Sequence, residues 1–319
     1  MRDNSAIESG LRPLEPLWRL RLRNTARRTR EQWRLFARTR VGLIGLGVIA
    51  IFGLMAVAHP LLMRYVWDVS TYHPVIGFGF EETSHPAPPS GRHLLGTDPV
   101  GRDILSMLMF SARAEFTLGL VAAVVTVVIG TGVGALSAYF GGWVDTILMR
   151  VADIVIMMPT IALLVVLGSL WNLSFLTLAL VIGGLSGFGA TAVIIKSQAL
   201  TIVVKPYIEA SRGAGAGHLH VIMVHIVPNL LPIAFLYMMF TVTAAIFSEA
   251  VLSFFGILNV RMSWGIMIHT AQSGGYLLSG LDFWWLLFPA GLSITLLSGS
   301  FYLVGRALDQ LVNPRLRSR

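Results

Sequence analysis

The chain has 319 residues, of which 55% are hydrophobic and only 13% are charged. These proportions exclude an ordinary soluble domain, in which about 25% of the residues are charged. The net charge of +8 comes mainly from arginines near the two ends, and the absence of cysteine excludes disulfides and thiolate metal sites. The composition therefore predicts an all-α polytopic membrane protein.

Residues 1–40 hold eleven arginines interspersed with leucine and tryptophan. This pattern is typical of a basic amphipathic segment that lies on the anionic inner surface of a membrane. An arm placed directly before a spanning helix faces lipid headgroups first. We therefore predict that this segment contacts membrane lipid and not nucleic acid.

Six apolar segments are each about as long as a bilayer requires, which is roughly 20 residues. These predicted spans are 41–63, 116–139, 154–171, 173–195, 233–257 and 283–304. An even number of crossings puts both termini on one side. With the N-terminus inside, the inner segments carry 19 Lys and Arg residues and the outer segments carry 5, so the positive-inside rule predicts cytoplasmic termini.

The remaining segments follow from these spans. Residues 64–112 are too polar to cross the membrane and too long for a simple turn, so they are predicted to form an external loop with short helices. Residues 113–305 would form the transmembrane core, and 306–319 a cytoplasmic tail. Within the core, Gly130, Gly134 and Gly183 stand at spacings that favour close packing of neighbouring helices.

The longest inner segment of the core, 196–232, has an unusual composition. Glu209, Ala210 and Ser211 favour the start of a helix, the glycines that follow break it, and an apolar stretch then leads to Pro228. This predicts a short helix, a glycine turn and a second short helix outside the bilayer. From the pattern alone, a plain connector between two spans is the simpler interpretation.

Glu249 stands out because ionisable residues inside a predicted span are rare and costly. It lies about 24 Å along the fifth span, toward the outer end. Two roles fit it equally: it faces a translocation pathway and meets a substrate amino group, or it caps an internal kink before Gly256.

Several enzyme classes are excluded by missing motifs. The chain contains no G-x-x-x-x-G-K-[ST] phosphate loop, no H-E-x-x-H and no G-x-S-x-G. We therefore predict no nucleotide site, no cofactor, no metal site and no catalytic residue, which favours a transport function over an enzyme.

The stretch from Glu209 to Pro228 resembles the EAA loop of permease subunits of binding-protein-dependent ABC importers. Glu209, Ala210 and Ser211 take its first three positions, Gly215 its glycine and Pro228 its proline. Ser211 replaces an alanine of that pattern. The outer stretch LLGTDPVGRDILSMLMFSAR and the tail LVNPRLR are similar to the second permease of the dipeptide, oligopeptide and nickel subfamily.

This resemblance implies a type I ABC importer permease fold in a bacterial or archaeal plasma (inner) membrane. The chain would pair with a homologous second permease, two cytoplasmic ATPase subunits and an external substrate-binding protein. Glu209 would bond to the ATPase or cap the coupling helix, Gly215 would supply a turn and Pro228 would fix the re-entry into the fifth span. Peptides are the expected cargo, and glutathione-like peptides and nickel chelates are handled by relatives as well.

A stand-alone ion-coupled secondary transporter is the alternative of a different class. The sequence has no obvious internal repeat and few charges near the membrane centre, which disfavours it. A membrane-embedded hydrolase is a third class, and it lacks a recognisable nucleophile, base or metal constellation.

Overall fold

The computed structural model describes residues 33–80, 82 and 84–312, and this part of the chain is almost entirely helical. Most of the predicted basic segment 1–40 and the end of the predicted tail 306–319 lie outside the described residues. The helices are α1 Arg40–Tyr65, α2 Val69–Tyr72, α3 Ile104–Phe140, α4 Gly142–Met157, α5 Thr160–Leu170, α6 Phe175–Val203, α7 Pro206–Gly213, α8 His218–Phe254, α9 Trp264–Ser273 and α10 Trp284–Val312.

Five of these helices, α1, α3, α6, α8 and α10, are long and apolar enough to cross a membrane. The pair α4 and α5 supplies a sixth crossing if the two bent helices are counted as one span. The all-α fold with six membrane crossings that the sequence predicts is therefore consistent with the described structure, although α6 has a kink at Gly189.

The third predicted span, 154–171, was wrong as a continuous helix. The structure starts this crossing earlier, at Gly142, and bends it by 84° between α4 and α5. The break lies at Met158 and Pro159, where Met158 has an extended backbone with φ −75° and ψ 127°. Proline has no N–H for the helical ladder and disfavours helical geometry in the residue before it, so the helix ends there.

Within the predicted inner segment 196–232 the helix boundaries differ from the prediction. Helix α6 continues to Val203, and α8 begins already at His218, so the second predicted short helix is continuous with the helix of the fifth span. A π-helical turn over Val221–Ile226 joins this first part to the rest of α8. The wider turn accommodates Pro228, which cannot donate a helical hydrogen bond.

Helix α3 is the central helix of the bundle and packs against α1, α6 and α8. Its glycines meet α6 at close range, as the small-residue spacing predicts. A Cβ added to Gly130 would lie 2.7 Å from Thr191, and one added to Gly134 would lie 2.7 Å from Ile195. Side chains at these positions would force the two helices apart.

The first turns of α3 lie within the predicted external segment. Helix α3 begins at Ile104, inside the predicted external loop 64–112, because Asp103 caps it by accepting a hydrogen bond from the Ser106 backbone N–H at 2.7 Å. His93 contacts the same carboxyl group through Nδ1 at 2.9 Å. Burial raises the pKa of Asp103, against the opposing effect of these hydrogen bonds.

Candidate functional site

The candidate site is centred on α7, a short helix that lies between the fourth and fifth crossings. It starts with Pro206 in its first turn, where the missing N–H of proline costs nothing, and Lys205 precedes it in extended geometry. With only eight residues, α7 is too short to be stable by itself in water. Its position must therefore be held by contacts with the bundle.

Ile208 supplies the main anchor, because it is the one buried residue of α7 in the described structure and is fully shielded from solvent. Its side chain joins an apolar cluster with residues of α3, α6 and α8, including Tyr139, Ile195 and Ile226. The cluster lies at the cytoplasmic end of the bundle in the predicted topology. Ile208 thus ties α7 to three membrane-spanning helices at once.

Polar contacts around Tyr139 add to this anchor. The guanidinium group of Arg212 lies 4.4 Å from the centre of the Tyr139 ring, at the distance of a cation–π interaction. The hydroxyl group of Tyr139 is 2.8 Å from Nδ1 of His218, the first residue of α8. The sequence analysis did not find this arrangement, because Tyr139 was only the last residue of the second predicted span.

A tight turn separates α7 from α8. Gly215 has φ +84°, in the left-handed region that favours glycine, and its N–H donates to the Arg212 carbonyl oxygen at 3.0 Å. A Cβ at this position would meet no neighbouring atom, so the requirement for glycine is conformational and not steric. The structure thus places Gly215 at the turn that the sequence predicts there.

The other residues of the EAA-like pattern are exposed to solvent or half-buried. Glu209 and Ala210 are exposed on α7, Ser211 is half-buried and Pro228 is exposed on α8. Among the described residues, no ion-pair partner of Glu209 occurs, and Lys205 rather than Glu209 occupies the helix-cap position. The carboxylate of Glu209 is therefore available to a partner outside this chain.

Exposed apolar side chains lie on α7 and on the first part of α8. Tyr207 is 41% exposed, and Leu219, Met223 and Val224 of α8 are each at least 50% exposed. The rings of Tyr207 and His225 lie 6.1 Å apart, which joins the two helices into one surface. We call Tyr207, Glu209, Leu219 and Met223 the docking surface. Exposed apolar side chains on neighbouring elements are typical of a protein–protein contact.

The docking surface is connected directly to the far side of the membrane by α8. This helix runs from His218 to Phe254, about 55 Å at 1.5 Å per residue. Near its far end, Glu249 is fully buried, and Ser253 Oγ donates a 2.5 Å hydrogen bond to its Oε1. That bond goes to a side chain of the same helix and not to the backbone turn at Gly256.

A second carboxyl group that the sequence analysis missed faces Glu249. Glu115 of α3 is also fully buried, and the two side chains lie within hydrogen-bonding reach of each other. Both oxygens of Glu115 and Oε2 of Glu249 have no hydrogen-bond donor in the described structure. Two carboxyl groups so close together in an apolar surrounding are unusual, because like charges repel strongly there. Glu115 stands one residue before the second predicted span, so the sequence analysis did not count it among the ionisable residues inside a span.

Comparison with known proteins gives one family for this chain. Residues 130–318 match the family described as the binding-protein-dependent transport system inner membrane component. The chain is 31% identical to the dipeptide transport system permease protein DppC of Bacillus subtilis, over 91% of this chain and 86% of that protein. It is 33% identical to the oligopeptide transport system permease protein OppC of the same organism, over 88% of each chain. The OppC protein of Mycobacterium bovis is 29% identical, over 89% of this chain and 94% of its own length.

Proposed function

Since this chain belongs to the family of binding-protein-dependent transport system inner membrane components, we propose that it is the permease subunit of an ATP-driven peptide importer. It forms half of a translocation pathway and takes mechanical work from separate ATPase subunits. The peptide substrate is inferred from the names of its dipeptide and oligopeptide permease relatives. Its location as a multi-pass protein of the inner membrane fits its apolar helices.

The observation that carries this proposal is the geometry of α7. A helix too short to stand alone is fixed to three spanning helices through Ile208, while Glu209 and Tyr207 stay exposed. A plain connector would need neither the anchor nor the exposed apolar surface. A helix built in this way transmits force between an outside partner and the bundle.

Coupling then follows from the connection between α7 and α8. The docking surface, together with the adjacent Ala210 and Ser211 of α7, enters a cleft of a cytoplasmic ATPase subunit. Closure of the ATPase pair displaces α7, and the turn at Gly215 and the contact between Arg212 and Tyr139 pass the movement to α8 and α3. Pro228 and the π-helical turn before it mark where α8 can adjust its bend.

The assembly requires further chains. A homologous second permease completes the pathway, two ATPase subunits bind from the cytoplasm and an external substrate-binding protein delivers the peptide. Both termini lie in the cytoplasm, as the excess of basic residues on the inner segments favours. Glu249 acts at the outer end of the bundle as a gate residue through its contact with Glu115.

Reconstitution tests the function directly. The chain is co-expressed with its partner permease, ATPases and binding protein, and the purified complex is placed in liposomes. We expect uptake of di- or oligopeptides that requires both ATP and the binding protein. Peptide uptake by this chain alone, driven by an ion gradient and without ATP, would favour the stand-alone secondary transporter and overturn the proposal.

The orientation has its own test. Reporter tags inserted near Gly215 and after Arg317 are expected to be accessible from the cytoplasm, and a tag near Glu82 from outside. Protease protection in oriented vesicles measures this. An external tag at Arg317 would contradict the proposed six-crossing topology.

A further inference from the structure

A pocket of about 380 Å³ lies between the outer parts of α1 and α3. Its walls are mainly apolar and include Ala56, Pro60, Met63 and Phe110, and His59 and His73 also line it. Two guanidinium groups, those of Arg64 and Arg113, stand on its lining, and among the described residues that line it none is acidic. The pocket therefore combines an apolar interior with a doubly positive edge.

The two arginines have no carboxylate to neutralise them. In the described part of the chain neither Arg64 nor Arg113 forms an ion pair, and the guanidinium of Arg64 only lies 5.4 Å from the ring centre of Tyr65. Both residues are exposed. Two unpaired guanidinium groups on the lining of one pocket carry uncompensated positive charge, so a bound anion would stabilise this part of the bundle.

The depth of the pocket relative to the bilayer indicates which anions can reach it. Arg64 lies about 36 Å along α1 from Arg40, and Arg113 lies about 40 Å along α3 from Phe140. Because the hydrocarbon core of a bilayer is about 30 Å thick, both guanidinium groups reach the level of the outer headgroups. The neighbouring side of α1 carries Val57 and Leu61, which are 64% and 54% exposed, as expected for a lipid-facing surface.

From these features we propose that this pocket binds an anionic glycerophospholipid of the outer leaflet. The phosphate group lies between Arg64 and Arg113, and the upper part of an acyl chain packs on Met63, Pro60 and Phe110. Arginine suits this ligand because its planar guanidinium group binds phosphate oxygens through two hydrogen bonds. The headgroup must carry a net negative charge, because the phosphate of a zwitterionic lipid is already neutralised by its own amine.

Bound in this way, the lipid joins α1 to α3. Helix α1 otherwise packs mainly on α10 and α3, and its outward side is exposed. The lipid would strengthen the outer half of the contact between α1 and α3, next to the hydrogen bond between His59 Nε2 and Ser106 Oγ at 3.2 Å. Loss of the lipid is thus expected to loosen α1 first.

The experiment uses the assembled transporter in nanodiscs of phosphatidylcholine with increasing phosphatidylglycerol. Native mass spectrometry counts retained lipid, and a thermal unfolding scan reports stability. Each arginine near the headgroups contributes about a fivefold gain in affinity, so Arg64→Gln with Arg113→Gln should weaken phosphatidylglycerol binding by about 25-fold. Arg261→Gln removes an exposed outer arginine that does not line the pocket, and it should change nothing.

Two further arms make the result decisive. The matched double variant, Arg64→Lys with Arg113→Lys, keeps both charges and should retain most of the phosphatidylglycerol, so that a loss in the Gln variant reports the lost charge. Inorganic phosphate at millimolar concentration should not raise the unfolding temperature, because it lacks the acyl chain. Equal stabilisation by inorganic phosphate, or unchanged lipid retention in the double Gln variant, would overturn the proposal.

Discussion

Replacement of Ile208 by alanine tests the coupling mechanism most directly, because this one side chain anchors α7. Ile208 is fully buried in a cluster that joins α3, α6 and α8. Removing a buried isoleucine side chain beyond Cβ usually costs about 2–5 kcal/mol. The cation–π contact of Arg212 with Tyr139 contributes only about 0.5–1 kcal/mol at an exposed site and cannot compensate.

The cost acts mainly on the position of α7. An isolated helix of this length is not stable, so α7 has no other means of keeping its place. A loss of about 2 kcal/mol or more lowers the population of correctly docked α7 by about 30-fold relative to the undocked state. The bundle itself keeps its remaining apolar contacts, so membrane insertion is expected to persist.

The assay measures peptide uptake and ATP hydrolysis by the reconstituted complex, and their ratio reports coupling. We expect Ile208→Ala to lower uptake per ATP hydrolysed, and Ile208→Val, which costs about 0.5–1.5 kcal/mol, to have an intermediate effect. Leu178→Ala is the matched control, since Leu178 of α6 is equally buried but belongs to a different apolar cluster. It should lower the unfolding temperature and leave the ratio unchanged. A normal ratio in Ile208→Ala, or an equal loss in Leu178→Ala, would refute the anchoring argument.

Three further sets of substitutions test neighbouring parts of the mechanism in the same assay. Glu209→Lys should reduce coupling more than Glu209→Ala, because it places a cation in the first turn of α7 at a dipole cost of about 0.5–1 kcal/mol; equal effects would remove any role for the charge. Gly215→Ala should strain the turn by about 1–2 kcal/mol and impair coupling, whereas Gly213→Ala adds the same methyl group without positive φ and should be tolerated. Glu249→Gln and Glu115→Gln should alter basal ATP hydrolysis in the same direction, and the double variant should be no worse than the more severe single one. Additive effects of these two substitutions would show that the carboxyl groups act separately.

The sequence by itself determined the features that depend on local composition. Six apolar stretches, the asymmetric distribution of arginine and the helix–glycine–proline pattern after Lys205 each follow from residues that are close along the chain. Transfer of an apolar segment into a bilayer is nearly a property of that segment alone, so the all-α fold and the crossings could be predicted. The family was identifiable for the same reason, because its motifs are short and contiguous.

The sequence alone did not determine where individual helices bend or begin. Pro159 was visible in the sequence, but the 84° bend it marks was not, because proline inside a spanning helix can also be tolerated with a mild kink. The start of α8 was predicted too late, because Pro228 indicates a helix boundary. The π-helical turn before Pro228 allows the helix to continue there. In both places the surrounding helices decide whether the helix breaks or continues.

Only the tertiary structure decided which distant residues meet. The contact of Ile208 with the cluster around Tyr139, the contact of Glu115 with Glu249 and the pocket between Arg64 and Arg113 each join segments separated by about 50 residues or more. Such contacts depend on how helices rotate and pack against each other, and helix packing is set by the fit of many side chains at once. A charge in an apolar run signals that a partner must exist, but the identity of that partner is a property of the fold.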